Sequence, residues 1–458
     1  MGGSHSKPVT IDINNRPGST GDQVQKDGKG GYFYRTDDGG KVLLTDEWYP
    51  DLEGTYRKFT HRPRDGKISK INKGGESQTG LGTLTTYDSV SVYYWSGDNS
   101  FSNPLLIQLC EGDKYYTTTG NNTWSKQNSI TFDKLKQGLD KENCLKNKAH
   151  IVKIAEKPSS STTYQCFSCR ASIQVYPGSD SSGDTTYYGH TITSVSGFKN
   201  GGKWQVGFPS IRGVGVIFVY WDTSEQKPVL IRYQTGNPRY FRKSAENGTS
   251  WIEVSNAPPA PNQASSLQTP TLPLDLSNTD GKYNYQGTTN IIMAVLLSHI
   301  SDGYSKFEHS FRGTPFKVTE IKHGQTTQLS GISSSNPLLS VSAYYLGDSP
   351  NLSKLLLVEL RSSGRGTTYK YFYRVQKDGN NWTEFKGPGG KTGQQLVGSS
   401  LKRALDELKK TQFPEASKDA TTIIVGSSVG SGIGGTGLGG LAVWVWYKYF
   451  FDPVVRLV

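Results

Sequence analysis

The chain of 458 residues has few sulfur atoms, with 4 cysteines and 2 methionines. So few cysteines exclude a disulfide-stapled scaffold. Apolar residues make up only 34%, which excludes a multi-span transporter. Neither a collagen-type glycine period nor sustained heptads are present. The first eight residues hold no apolar run of the roughly 7 to 15 residues that a secretory leader needs, so export through such a leader is not expected. What is abundant points one way. Aromatics reach 11%, with 26 Tyr and 9 Trp, and there are 53 glycines. Enough bulk is available for packed cores, and short strands joined by tight turns are favoured over long helices.

Charge is missing from one stretch altogether. Residues 420–447, between Asp419 and Lys448, carry no formal charge. As a helix they would extend about 42 Å, more than the ~30 Å hydrocarbon layer requires. An aromatic cluster at Trp444, Trp446, Tyr447, Tyr449, Phe450 and Phe451 matches an interfacial belt. The expectation is a single-pass transmembrane helix over 420–447 and a short tail over 448–458. Gly426, Gly430 and Gly434, four apart, would form a helix face for close packing and self-association. Gly432 to Gly437 spells a dinucleotide-binding pattern, but such a unit also needs a following helix and a second strand, and the sequence runs only to Val458, so no nucleotide site is assigned. Lys402, Arg403, Lys409, Lys410 and Lys418 precede the span, and only Lys448 and Arg456 follow it. That bias favours a cytoplasmic N-terminal bulk. Met1-Gly2 with Ser6 fits an N-myristoylation pattern, which makes Gly2 a candidate lipidation site.

Between the ends the chain repeats itself three times. A β-type signal begins at Ile68, Ile192 and Val318. An aromatic strand then begins at Val90, Val216 and Val341, and an apolar strand at Leu105, Val229 and Leu355. An Asn/Gly turn leads next to Trp124, Trp251 and Trp382. Alternating strands at Thr10–Ile13, Ser172–Val175 and Pro273–Leu276 are expected to open the units. Short amphipathic helices with Phe132, Leu135 and Leu139, and with Leu401, Ala404, Leu405 and Leu408, are expected to close the first and third. The fold class is mainly β (α+β). Its domains run over 9–155, 166–256 and 274–412, with a flexible arm over 1–8 and a Pro-rich linker over 257–273.

Three segments carry a resemblance: Val9–Ile13, Tyr93–Asp98 with Asn103–Ile107, and Gly435–Trp444. Together they resemble a lineage-expanded membrane and surface protein family of Theileria-type piroplasm parasites, similar in style to the FAINT-repeat proteins. The resemblance implies a parasite protein presented to, or released near, the host cell as a binding or antigenic surface. The secreted members carry a leader that the start of this sequence does not match.

Little chemistry can be assigned. Seven histidines (5, 61, 150, 190, 299, 309 and 323) form no metal-binding helix pair and no nucleophile motif, so no catalytic residue is named and the chain is not expected to be an enzyme. Cys144, His150, Cys166 and Cys169 have the identities of a Cys3His zinc site, but their spacing fits poorly. Free buried thiols, or up to two disulfides in any of three pairings, are the expectation, and neither a metal ligand nor a cofactor is assigned. Sequons at Asn121, Asn247, Asn351 and Asn381 would be glycosylated only in a secretory lumen. The recurring aromatics suggest shared core positions more than a carbohydrate or single-strand platform. The net charge of +12 is spread along the chain, so nucleic acid is not the expected partner.

The function expected from sequence is a membrane-anchored, non-enzymatic interaction protein with a host or other protein partner. The alternatives are a tail-anchored, myristoylated cytosolic-face scaffold, and a carbohydrate-binding module or enzyme of unknown class. Gly430→Leu should shift the full chain in detergent from oligomer to monomer, as read by light scattering. An unchanged mass would remove the glycine face from consideration.

Overall fold

In the computed structural model the described residues are 7–17, 23–27, 31–50, 52–110, 112–179, 186–222, 226–244, 248–255, 267–285, 289–300, 303–325, 327–363, 366–376, 379–386 and 393–414. Of these, 53% lie in strands and 10% in helices, so the chain is mainly β, with several sheets. Gly2, Asn247, Gly426, Gly430 and Gly434, together with the whole of 420–447, lie outside the described residues. Among the described residues, no helix is long and apolar enough to cross a membrane.

Each of three units is built from the same strands. An opening strand (Pro8–Asp12, Ala149–Lys153, Thr271–Asp275) pairs in parallel with a return strand (Lys67–Lys73, Ser194–Asn200, Lys317–His323). Across from this small mixed sheet stands a larger antiparallel sheet. There a histidine strand (Tyr56–Pro63, Thr186–Thr191, Tyr304–Ser310) pairs with an aromatic strand (Val90–Trp95, Val216–Asp222, Leu338–Leu346). The aromatic strand pairs in turn with an apolar strand (Leu106–Leu109, Lys227–Gln234, Leu355–Ser362). Alternate residues of the two sheets face each other and each unit has a core, that of unit three taking in Ile252 and Val254 of unit two and that of unit two taking in Cys144 from the helix of unit one.

Two boundaries differ from those expected. The second unit opens with Ala149–Lys153, inside the span 9–155, whereas Ser172–Val175 belongs to the strand Ser172–Ser179 of the large sheet. Alternation alone cannot tell these strands apart, because each buries one face; the parallel partner decides it. The third unit's opening strand starts at Thr271, inside the segment 257–273 read as a linker.

The units are also not separate beads. One sheet of 14 strands runs through units one and three, which meet where His299 pairs with Asp46. Unit two's sheet gains Thr289–Ile292 from the following segment, because Glu253 and Val254 pair with Ile292 and Ile291. Trp48 Nε1 donates to the Leu297 carbonyl at 2.9 Å, and Arg312 Nη1 donates to the Glu53 carbonyl at 2.8 Å. Gly207 N–H donates to the Arg312 carbonyl at 3.1 Å, so all three units meet near Arg312.

Inside each unit one buried histidine of the large sheet bonds to a tyrosine hydroxyl that also reaches the opening strand. The Tyr34 hydroxyl lies 3.1 Å from His61 Nδ1, Tyr164 lies 3.1 Å from His190 Nδ1, and Tyr283 lies 2.9 Å from His309 Nδ1. In unit two the Tyr164 oxygen also accepts the Lys153 N–H at 3.3 Å, from the last residue of the opening strand. The backbones of Asp12 and Asp275, the equivalent residues, bond to Tyr34 and Tyr283. In unit two the Tyr164 oxygen, occupied by that N–H, directs its own proton to His190 Nδ1, whereas in unit three the Tyr283 hydroxyl also lies 3.2 Å from the Asp275 carbonyl, to which it donates. The three histidines are fully buried, and desolvation lowers each to about 4.

A recurrent glycine supports each buried tryptophan. Gly80, Gly207 and Gly331 have φ of +79°, +103° and +91°, and a Cβ on any of them would collide with the carbonyl oxygen of Trp124, Trp251 or Trp382. Trp124 Nε1 donates to Gln78 and Trp251 Nε1 to Gln205, two residues before the glycine. In unit three an extra residue separates Gln328 from Gly331, and Trp382 Nε1 is buried without a hydrogen-bond partner.

Below the ordinary histidine pKa of about 6.5, the unfolded chain takes up protons that the buried histidines refuse until about 4. Stability contributed by these groups is therefore complete above pH 6.5 and lost as pH falls towards 4. Thermal unfolding should show the midpoint dropping steeply across that window. His190→Gln should flatten the drop; an identical slope in wild type and variant would contradict the assignment.

Candidate metal centre and an uncovered sheet face

Helix α1 (Leu135–Asn147) ends where Lys148 takes a left-handed conformation, φ 55°, and its N–H donates to the Asn143 carbonyl. The reversal brings His150, second residue of unit two's opening strand, against Cys144 in the last helical turn. Opposite them, the hairpin between Thr162–Gln165 and Ser172–Ser179 closes through a Cys-x-x-Cys turn. There Cys166 N–H donates to the Ala171 carbonyl at 2.7 Å and Arg170 N–H to the Cys166 carbonyl at 3.1 Å. Arg170 has φ 63°, and both thiols converge on the helix end.

The result is one cluster: the donor atoms of Cys144, His150, Cys166 and Cys169 all lie within 4.8 Å of one another. Cys144 Sγ is 2.9 Å from His150 Nδ1 and 3.6 Å from Cys166 Sγ, and Cys169 Sγ is 3.4 Å from His150 Nδ1. The Ile151 N–H points at Cys166 Sγ from 3.5 Å. Cys144 and Cys166 are buried, His150 and Cys169 half-buried. Burial, then the charge of Lys148, lowers the pKa of His150 and holds its imidazole neutral at pH 7. Cys144 and Cys169 are joined as a disulfide, with Cα atoms 6.0 Å apart. Cys110 stands elsewhere, 3.3 Å from Asp88 Oδ1. Sequence spacing pointed away from this convergence because it depends on the left-handed turn at Lys148 and on the helix of one unit leaning on the hairpin of the next.

The other residues singled out in the sequence stay apart. Asn121, Asn351 and Asn381 are exposed; Asn121 occupies a left-handed turn position with φ 51°, and Asn351 Oδ1 accepts the Ser353 N–H at 3.0 Å. Three of the scattered histidines proved to be one recurrent core position, visible in sequence only as a tyrosine 26 or 27 residues earlier.

A second feature distinguishes unit two. In unit one, α1 lays Leu135 and Leu139 over Tyr93, Trp95, Leu106 and Tyr115 on the outer face of the large sheet. In unit three, helix α2 (Gly398–Gln412) lays Ala404, Leu405 and Leu408 over Tyr344, Leu357 and Tyr371. Each helix also sets a carboxylate on a sheet tyrosine: Tyr56 donates to Asp140 Oδ1 at 2.6 Å, and Tyr304 to Asp406 Oδ1 at 2.7 Å. Phe132, expected on the buried side of the first helix, is 74% exposed, because it lies in a 3-10 turn ahead of α1.

Among the described residues, no helix covers that face in unit two. Its aromatic strand is offset by one residue from a match made on the valines, since His190 pairs with Ile217, as His61 pairs with Val90 and His309 with Val341. Ile217, Val219 and Trp221 therefore fill the core, and Phe218 and Tyr220 turn outward, half-buried. The core role expected for the repeat aromatics does not extend to these two. Tyr187 packs on both, at 5.4 Å and 5.6 Å between ring centroids, and Tyr176 lies over Gly189, where a Cβ would strike its ring. Arg232 stands 5.5 Å over the Phe218 ring and bonds to Tyr220. The equivalent positions in units one and three hold Gln108, which accepts from Tyr93 at 2.8 Å, and Glu359, which accepts from Tyr344 at 3.1 Å. On this face units one and three set Lys58 and Lys306 opposite Tyr93 and Tyr344, each paired with a glutamate (Glu47, Glu308), whereas unit two has Tyr187 in that place and its positive charge, Arg232, on the apolar strand.

No protein-family model matches the chain, and no curated protein matches its sequence.

Asp140→Ala leaves the buried Tyr56 hydroxyl without its acceptor. Denaturant unfolding should show a loss of about 1–3 kcal/mol, with Asp133→Ala as a near-neutral exposed control. Equal effects at the two positions would contradict the role given to the helix carboxylate.

Proposed function

We propose that this chain is a non-enzymatic interaction scaffold held at a membrane, and that the outer sheet face of unit two receives an acidic amphipathic helix from a partner protein. The observation that carries this reading is the difference among the three faces. Units one and three cover theirs with the chain's own helix, while Tyr176, Tyr187, Phe218, Tyr220 and Arg232 form an aromatic and cationic face with no described helix upon it. The sister units supply the chemistry of the occupant: leucines over the aromatics and a carboxylate reaching into the sheet. Arg232, where they have Gln and Glu, adds the preference for an acidic helix. Helix-in-groove recognition by an apolar stripe with flanking charge is a common mode of peptide binding. Membrane attachment is supported by the uncharged run 420–447, and a host-facing or parasite partner by the resemblance to piroplasm surface proteins.

A photo-crosslinking amino acid placed at Tyr220 in the full chain, expressed in its native cell, tests this. The expected result is a protein adduct whose crosslinked peptide is an acidic amphipathic sequence, and whose yield falls at least about tenfold with Arg232→Glu while the melting temperature holds. A glycan adduct, a basic or extended peptide, no adduct, or a yield indifferent to Arg232→Glu would each overturn the reading.

A further inference from the structure

We propose that Cys144, His150, Cys166 and Cys169 bind one Zn²⁺ ion, and that this ion fastens the closing helix of unit one to the first hairpin of unit two. A Cys144–Cys169 bond uses two of the four donors, yet Cys166 Sγ and His150 Nδ1 approach the same point, at 3.6 Å and 2.9 Å from Cys144 Sγ. Neither a third buried thiol nor an inward imidazole nitrogen is needed for a sulfur–sulfur bond. All four are needed for a tetrahedral metal.

Two of the separations agree with that geometry, while Cys144 Sγ and His150 Nδ1, at 2.9 Å, must draw apart slightly and the bonded sulfurs of Cys144 and Cys169 must part on reduction. With Zn–S of about 2.3 Å and Zn–N of about 2.1 Å, a tetrahedron has S···S edges of about 3.8 Å and S···N edges of about 3.6 Å. The 3.6 Å between Cys144 and Cys166 and the 3.4 Å between Cys169 and His150 lie close to these values. Three thiolates and one imidazole suit Zn²⁺ rather than Mg²⁺ or Ca²⁺, which take oxygen. The Cys-x-x-Cys turn holds two ligands on one hairpin end, and the Ile151 N–H aimed at Cys166 Sγ is the outer hydrogen bond that a thiolate ligand accepts.

Binding is an acid–base event without electron transfer. Each thiol gives its proton to solvent, three Zn–S bonds and one Zn–N bond form, and the neutral imidazole contributes its lone pair. The disulfide lies two electrons more oxidised and retains only Cys166 and His150 as donors. The two states therefore exclude one another.

The ion would have a mechanical consequence. Cys144 lies on α1, which is packed on unit one, whereas the other three ligands belong to unit two. A metal bond across that junction adds to contacts such as the one that sets Ser96 Oγ 2.8 Å from Ser210 Oγ. It also anchors the base of the strand that carries Tyr176. The four donors belong to this chain alone and need no helix bound at that face.

The full chain, purified in detergent with a thiol reductant and without chelator, should contain one zinc per molecule by plasma mass spectrometry. Replacement by Co²⁺ should give the visible bands of a tetrahedral thiolate site. A strong zinc chelator should lower the melting temperature and expose three further thiols to alkylation. Cys166→Ser discriminates most sharply: it should weaken zinc binding beyond the roughly 10- to 100-fold cost of outer-shell changes, and leave a Cys144–Cys169 disulfide unaffected. Cys110→Ser should bind zinc as wild type does. If Cys166→Ser does not fold, the chelator response of the wild-type protein decides. Metal-free protein with Cys144 and Cys169 disulfide-bonded under these conditions, or zinc retained by Cys166→Ser, would overturn the proposal.

Discussion

The hydrogen bond from a buried tyrosine to a buried neutral histidine is the contact on which each unit depends. Parallel pairing of the opening and return strands makes only a small sheet, which packs on the larger one through the shared core. In unit two the tyrosine oxygen engages the last residue of the opening strand, and its proton engages the histidine of the large sheet. Removal of either partner strands a polar group in the core, at a cost of about 1–3 kcal/mol. Through the tyrosine oxygen the opening strand of the small sheet is tied to the large one. A single such bond occurs in each unit, at the same place.

From the register of the histidine strand against the aromatic strand the rest follows. Because His61, His190 and His309 sit opposite Val90, Ile217 and Val341, alternate residues of the aromatic strand are assigned to core or outer face. In units one and three the outward residues are sealed by α1 and α2. In unit two the same positions carry Phe218 and Tyr220, and the charged neighbour is Arg232. The units have thus diverged mainly on the face where a helix does or does not lie, while the interior plan is shared.

The junctions between units use ordinary polar contacts as well as one concentrated cluster. Arg312 bonds to unit one through its guanidinium and accepts a bond from unit two at its backbone carbonyl, so a substitution there would loosen the first junction and leave the second bond in place. At the other junction, helix α1 reaches past its own sheet and delivers Cys144 to a hairpin it does not belong to. Both features keep the chain from behaving as three independent domains, despite its threefold sequence pattern.

The sequence by itself determined the threefold β-rich plan, since strands, tryptophan turns and closing helices are local patterns of alternation and turn chemistry that each stretch carries on its own. It also carried the buried histidines and their tyrosines, though not as pairs: residues 26 or 27 positions apart meet only when the strands between them have paired, as Tyr34 and His61 do across Lys41–Tyr49 and Tyr164 and His190 across Ser172–Ser179. Only the tertiary structure decided three things: that Ala149–Lys153 opens the second unit, that Phe218 and Tyr220 point outward, and that Cys144 joins His150, Cys166 and Cys169. The physical reason is shared. A one-residue change of register reverses every side chain of a strand, and strand pairing between distant segments is set by packing that no single stretch of sequence contains.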